Sequence, residues 1–180
     1  METKIDKTGK PSPINHAMLF GLEMGIFFGL NFIISAQAQG GSAWLSIISW
    51  LLTIYIIYSV FRSAFHYRMT ECGGDITFGQ SFRYIMWLFF FASIVAAVVR
   101  VIYLKWFDTT FLSNVMEQSK IVLSQLKFSA AERSMALESM EQMLQPVRFS
   151  IYYILYDLFM GLITALILSP LVKRKLPIEN

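Results

Sequence analysis

The sequence predicts an all-α membrane protein: a four-transmembrane-helix bundle with an extracytoplasmic amphipathic helical hairpin between helices three and four. Three observations point there. Hydrophobic residues make up 56% of the 180 positions and charged residues only 15%, whereas a soluble domain is nearer half apolar and about a quarter charged. The apolar excess is gathered into four blocks rather than spread through one water-soluble core. Lysine and arginine alternate between the segments that separate those blocks.

The predicted spans are roughly 14–35, 43–65, 81–103 and 149–172, within a single domain of residues 1–180. Each is about 22–24 residues long, and a helix needs about 20 to cross the hydrocarbon core. Helix is the expected state because lipid offers no partner to an unpaired backbone group. The Gly-rich connection 36–42 is short, so the first two spans form an antiparallel pair. Residues 67–80 form a second loop, in which the Gly73-Gly74 pair reads as a turn without any phosphate-loop motif. Ala36-Gln37-Ala38 resembles a signal-peptidase site. The preceding run is longer than a signal core, holds Glu23 and follows a leader with two prolines, so it reads as a span.

Orientation follows from the basic residues. Lys4, Lys7 and Lys10 precede the first span, and the first loop has none. Arg62, Arg68 and Arg83 flank the second loop, and Lys173, Arg174 and Lys175 follow the last span. This alternation places both termini and the second loop in the cytoplasm. Trp44, Tyr103, Trp106, Tyr152 and Tyr153 form the expected aromatic belt at the outer interface. The net charge of +3 and the pI near 9.0 therefore express orientation in the bilayer. No basic, aromatic-interleaved surface speaks for nucleic acid.

The long third connection carries residues 111–145. Phe111, Leu112, Val115, Met116, Val122, Leu123 and Leu126 recur at helical spacing among Glu117, Gln118, Lys120, Ser124 and Lys127. Ser129 and Glu132 match a capping box opening a second helix, and Pro146 marks its end. Ala131, Met135, Met140, Met143 and Leu144 supply that helix's apolar side. The Met spacing reads as a packing face rather than a copper site.

Glycines at 21, 25 and 29 form one stripe on the first span, and Gly161, Ala165 and Ser169 form another on the fourth. Small-residue stripes let two helix backbones approach closely. The packing partner of the first stripe is left open between the fourth span and a second copy of the first. A carboxylate inside a membrane marks a candidate site. Glu23 and Asp157 lie roughly 12–14 Å deep in their spans, at 1.5 Å per residue. Glu23 shares a face with His16, Asp157 lies one turn before Gly161, Arg100 can snorkel or reach Asp157, and Asn31 lies at a similar height. These four form a candidate intramembrane polar site, as a structural pair or as a proton relay. His16 and His66 are too few ligands for zinc, the lone Cys72 adds none, and no nucleophile–base–orienter triple can be named. No catalytic residue, metal or cofactor is expected.

Residues Gly73-Gly74-Asp75-Ile76-Thr77-Phe78-Gly79-Gln80-Ser81-Phe82, with His16-Ala17-Met18-Leu19-Phe20-Gly21 and the Glu, Gln and Met-rich Glu138–Pro146, resemble a family of small Bacteroidetes membrane proteins, the domain of unknown function 4199. The resemblance covers nearly the whole chain. It implies four spans and an inner-membrane address, and it implies no activity. The functional expectation is a non-catalytic accessory or scaffold subunit, whose partners are the bilayer and a membrane protein or a second copy. The alternative is a small proton- or ion-coupled transporter or channel acting as an oligomer.

Overall fold

The computed structural model describes residues 13–126 and 128–173. Lys4, Lys7, Lys10, Lys127, Arg174 and Lys175, used above for orientation and amphipathicity, lie outside them. The order is α1 (Pro13–Ala38), α2 (Ala43–Thr70), α3 (Phe78–Ile102), α4 (Phe111–Gln125), α5 (Ala130–Met143) and α6 (Pro146–Val172). No strand occurs among the described residues. Residues Tyr103–Phe107 continue α3 as a π-turn. Among the described residues four helices are long and apolar enough to cross a membrane, namely α1, α2, α3 with its π-turn, and α6.

Each is longer than the span read from the sequence, and the ends explain why. Gln80 N–H donates to the Thr77 hydroxyl at 3.3 Å while Thr77 N–H donates to the Gln80 side chain at 3.0 Å. This reciprocal cap starts α3 at Phe78 instead of 81. Gly73 and Gly74 take positive φ of 63° and 88°, which allows α2 to run to Thr70 before the chain turns. Pro146 does not merely end the preceding helix. It occupies the first turn of α6, where its missing N–H costs nothing.

Helix α3 is the centre. It packs extensively on α1 and on α6, whereas α2 leans mainly on α1. In the most apolar window of α3, 44% of residues are buried inside the protein, against 11% for α2. The α3 face that meets its neighbours is small and flat: Ala92, Ser93, Ala96 and Ala97 are all buried. Two ends of the bundle can be distinguished. The terminal end carries the start of α1, the end of α6 and the α2–α3 loop, while the opposite end carries the α1–α2 turn, α4 and α5.

Both helices expected in the third connection are present, and the Ser129 box forms as read. Ser129 N–H donates to Glu132 at 2.8 Å and Glu132 N–H donates back to the Ser129 hydroxyl at 3.3 Å. The two helices cover each other only in part. Phe111, Leu112 and Leu123 of α4 are buried, but Val122 is 57% exposed and α5 has no buried residue at all. The Glu132 carboxyl is held below its ordinary value, chiefly by the Ser129 hydroxyl and then by the Ser129 N–H. A depressed value in the folded state means that the cap stabilises α5 above the ordinary carboxylate range and is lost as pH falls through the folded value. Amide exchange in the first turn of α5 is therefore expected to accelerate as pH drops below 4.5, beyond the intrinsic pH effect. Ser129→Ala is expected to give the faster exchange already at neutral pH.

Candidate functional site

Three groups of polar side chains in the bundle bear on a site. The first is an ion pair between α3 and α6. Arg100 Nη2 donates to Asp157 Oδ2 at 2.8 Å, with side-chain exposures of 3% and 9%. The guanidinium lies 4.7 Å from the centre of the Tyr153 ring and 5.6 Å from that of Phe32. Arg100 thus reaches inward instead of snorkelling. Its Nε and Nη1 are buried without an acceptor. Charges at this depth are tolerable only in pairs, since desolvating either one alone is expensive.

The pair borders a cavity of about 750 Å³. Asn31, Arg100 and Asp157 all line it, so three of the four polar residues singled out from the sequence converge on one space. Asn31 is nevertheless bonded elsewhere. It donates to the Thr53 hydroxyl at 3.1 Å and accepts from Ser49 at 2.8 Å, and Ser49 is 2.6 Å from Ser35. These bonds fasten α1 to α2 and leave Asp157 to Arg100. Below them the walls are apolar, with Phe28, Ile56, Phe89 and Met160. At the opposite end the cavity is roofed by Val115 and Ser119 of α4 and Met140 and Met143 of α5.

Glu23, the fourth residue, is not there. It is exposed on the outer face of α1 with Leu19, Leu22, Ile26 and Leu30, and it has no ion pair among the described residues. Its heptad neighbour His16 belongs to a third place, at the terminal end. His16 Nδ1 is 2.9 Å from the Tyr84 hydroxyl, and its Nε2 is 3.1 Å from His66 Nδ1. Tyr84 stacks on Tyr67 with ring centres 4.5 Å apart. No group of three or more metal-ligating His, Cys, Asp or Glu gathers among the described residues.

The glycine stripes both pack on α3, so the first stripe meets the third span and not the fourth. A Cβ at Gly25 would lie 2.5 Å from Val95 Cβ and 2.7 Å from the Ala92 carbonyl, and one at Gly29 would lie 2.6 Å from Val99. A Cβ at Gly161 would lie 2.6 Å from Phe89, with Ala165 and Ser169 fully buried behind it. The two stripes set the approach of α1 and α6 to the same central helix, and so fix the distance that Arg100 must bridge.

Sequence reasoning missed Arg68. Counted as a loop charge, it is buried in α2 and donates to the Val172 carbonyl at 3.0 Å, tying α2 to the end of α6. It also missed Ser49 and Thr53, and it read Tyr153 as part of the interfacial belt although the ring stacks on Arg100. Their signal was weak but present: Tyr153 precedes Asp157 by one helical turn, and Ser49 and Thr53 are four residues apart on one face of α2.

Four long apolar helices around an internal ion pair define a helical membrane protein. The chain belongs to the family described as protein of unknown function DUF4199, whose model matches residues 15–174. No curated protein and no solved structure matches it.

Proposed function

We propose that the chain is a non-catalytic accessory or scaffold subunit of a bacterial inner-membrane complex, and that it docks through the Glu23 face of α1. The observation that carries this is the placement of Glu23. It lies ten residues, about 15 Å, along α1 from Pro13, exposed among four large aliphatic side chains. A carboxyl group facing lipid at that depth costs a few kcal/mol. A neighbouring transmembrane helix that presents a basic or hydrogen-bond-donating side chain at the same height removes that cost and adds specificity. Both termini are cytoplasmic in this reading, and α4 and α5 form a hairpin outside the membrane.

A transporter draws on the same carboxylates. The neutralised Arg100–Asp157 pair weighs against it, as do the fully buried Tyr84 and Ile85, which on the central helix lie between the cavity-lining Phe89 and the terminal end.

Two measurements test the reading. In intact cells, cysteine labelling from outside is expected at Ser129→Cys and absent at Lys4→Cys and Asn180→Cys; external labelling of either terminus contradicts the topology. In mild detergent the wild-type chain is expected to run in a complex containing a second, different membrane protein. Glu23→Gln, which keeps hydrogen bonding, is expected to retain it, and Glu23→Leu to lose it with unchanged thermal stability. A complex whose mass is a whole multiple of the 20.7 kDa chain supports self-association instead. Proton flux in liposomes that depends on Asp157 supports the transporter.

A further inference from the structure

The cavity beside Arg100 has the build of a ligand site, independently of how α1 docks. Its volume of about 750 Å³ falls in the range of roughly 300–1,000 Å³ typical of small-molecule pockets. Its opening faces sideways. The Arg68–Val172 bond closes α2 onto α6 at the terminal end. Further along, Ile57 on α2 and Tyr152, Tyr156 and Met160 on α6 line the cavity and yet are 45%, 47%, 57% and 38% exposed. Those residues form the lips of a slot between α2 and α6, on the surface that meets lipid.

Along α6 the lining runs from Phe149 to Thr164, about 22 Å at 1.5 Å per residue. The hydrocarbon of one leaflet is about 15 Å thick, so the slot accepts the upper length of a chain lying parallel to the helices. One end of the slot is apolar and the other holds Arg100, whose Nε and Nη1 have no acceptor although the side chain is 97% buried. Buried donors of this kind seek an acceptor, because leaving them unmade costs the full desolvation of each group. The charge itself is already balanced by Asp157 at 2.8 Å. An anionic headgroup would put a second negative charge beside Asp157. A neutral carbonyl oxygen accepts the same hydrogen bonds without that repulsion.

We infer that the slot between α2 and α6 is a binding site for one acyl lipid, with an ester or amide carbonyl oxygen accepting from Arg100 and the chain lying against Phe28, Ile56, Phe89 and Met160. The lipid enters sideways from the bilayer. Met140 and Met143 of α5 cover its polar end, which gives the incompletely buried α5 an apolar surface to rest on.

The test uses the full chain in nanodiscs with a phosphatidylethanolamine that carries a diazirine in one acyl chain. After illumination, labelled peptides are mapped, with the α1 peptide containing Leu22 and Ile26 as the reference for ordinary lipid contact. Strong labelling of the peptides containing Ile57 and Tyr152–Met160 is expected. Unlabelled phosphatidylethanolamine and phosphatidylglycerol are expected to compete equally, since both bring ester carbonyls, and inorganic phosphate is expected not to compete. Ile57→Trp with Met160→Trp, both at the exposed lips, is expected to lower slot labelling about ten-fold relative to the reference. Arg100→Met with Asp157→Leu is expected to lower it while keeping the cavity. Labelling uniform around the bundle and unchanged by the tryptophans overturns the site. Displacement by phosphate, or by phosphatidylglycerol far better than by phosphatidylethanolamine, overturns the carbonyl assignment in favour of an anion.

Discussion

Gly25→Leu is expected to destabilise the bundle by at least about 3 kcal/mol, at the upper end of overpacking penalties. Even a single added carbon meets Val95 Cβ at 2.5 Å and the Ala92 carbonyl at 2.7 Å, and the second of these is backbone that cannot rotate aside. The helices must separate, and the close α1–α3 contact is the largest in the fold. Gly29→Ala is expected to be milder, because the atoms nearest to it belong to the Val99 side chain and not to backbone. Val99→Ala is expected to relieve part of that clash. Phe28→Leu, one turn from Gly25, loses an edge-to-face contact with Phe89 at 5.4 Å and is expected to cost about 1 kcal/mol. Melting in one detergent ranks the four variants. Equal melting of Gly25→Leu and Phe28→Leu contradicts close packing of α1 on α3.

Asp157→Leu is expected to cost about 3–5 kcal/mol, the usual penalty for stranding one member of a buried ion pair. The guanidinium would keep its place between Tyr153 and Phe32 with its one acceptor gone. Asp157→Asn retains an acceptor oxygen and is expected to cost less. Arg100→Met combined with Asp157→Leu is expected to recover most of the loss, since two apolar side chains replace two desolvated charges. Thermal melting of the two single variants and the double variant closes the cycle. Additive losses contradict the pairing.

The spans were legible because they are local properties of composition and length. So was the Ser129 cap, which needs only four consecutive residues. What sequence could not provide was azimuth between helices. A glycine stripe says that a backbone can approach, but the same pattern fits α3, α6 or another copy. Packing on α3 is decided by the flat Ala92–Ala97 surface of that helix. Asn31 and Asp157 share a height and a cavity, yet Asn31 turns to Ser49 and Thr53 because the short α1–α2 turn brings those hydroxyls to it first. His16 and Glu23 share a face of α1 in projection. About 10 Å of rise separates a histidine held by Tyr84 and His66 from a carboxylate that no described residue covers. Arg68 was legible as a charge and illegible as a tie, because counting charges for orientation ignores where α6 ends.

The docking face of α1 is the central claim, and site-specific photocross-linking in living cells tests it most directly. A photoreactive phenylalanine analogue is placed at Ile26, one turn from Glu23 on the same exposed face, and as a control at Leu155 on the exposed face of α6. The Ile26 position is expected to yield one discrete product joined to a different membrane protein, abolished by Glu23→Leu and kept by Glu23→Gln. The Leu155 position is expected to yield none. No discrete product at Ile26, or one that survives Glu23→Leu unchanged, contradicts docking through the Glu23 face.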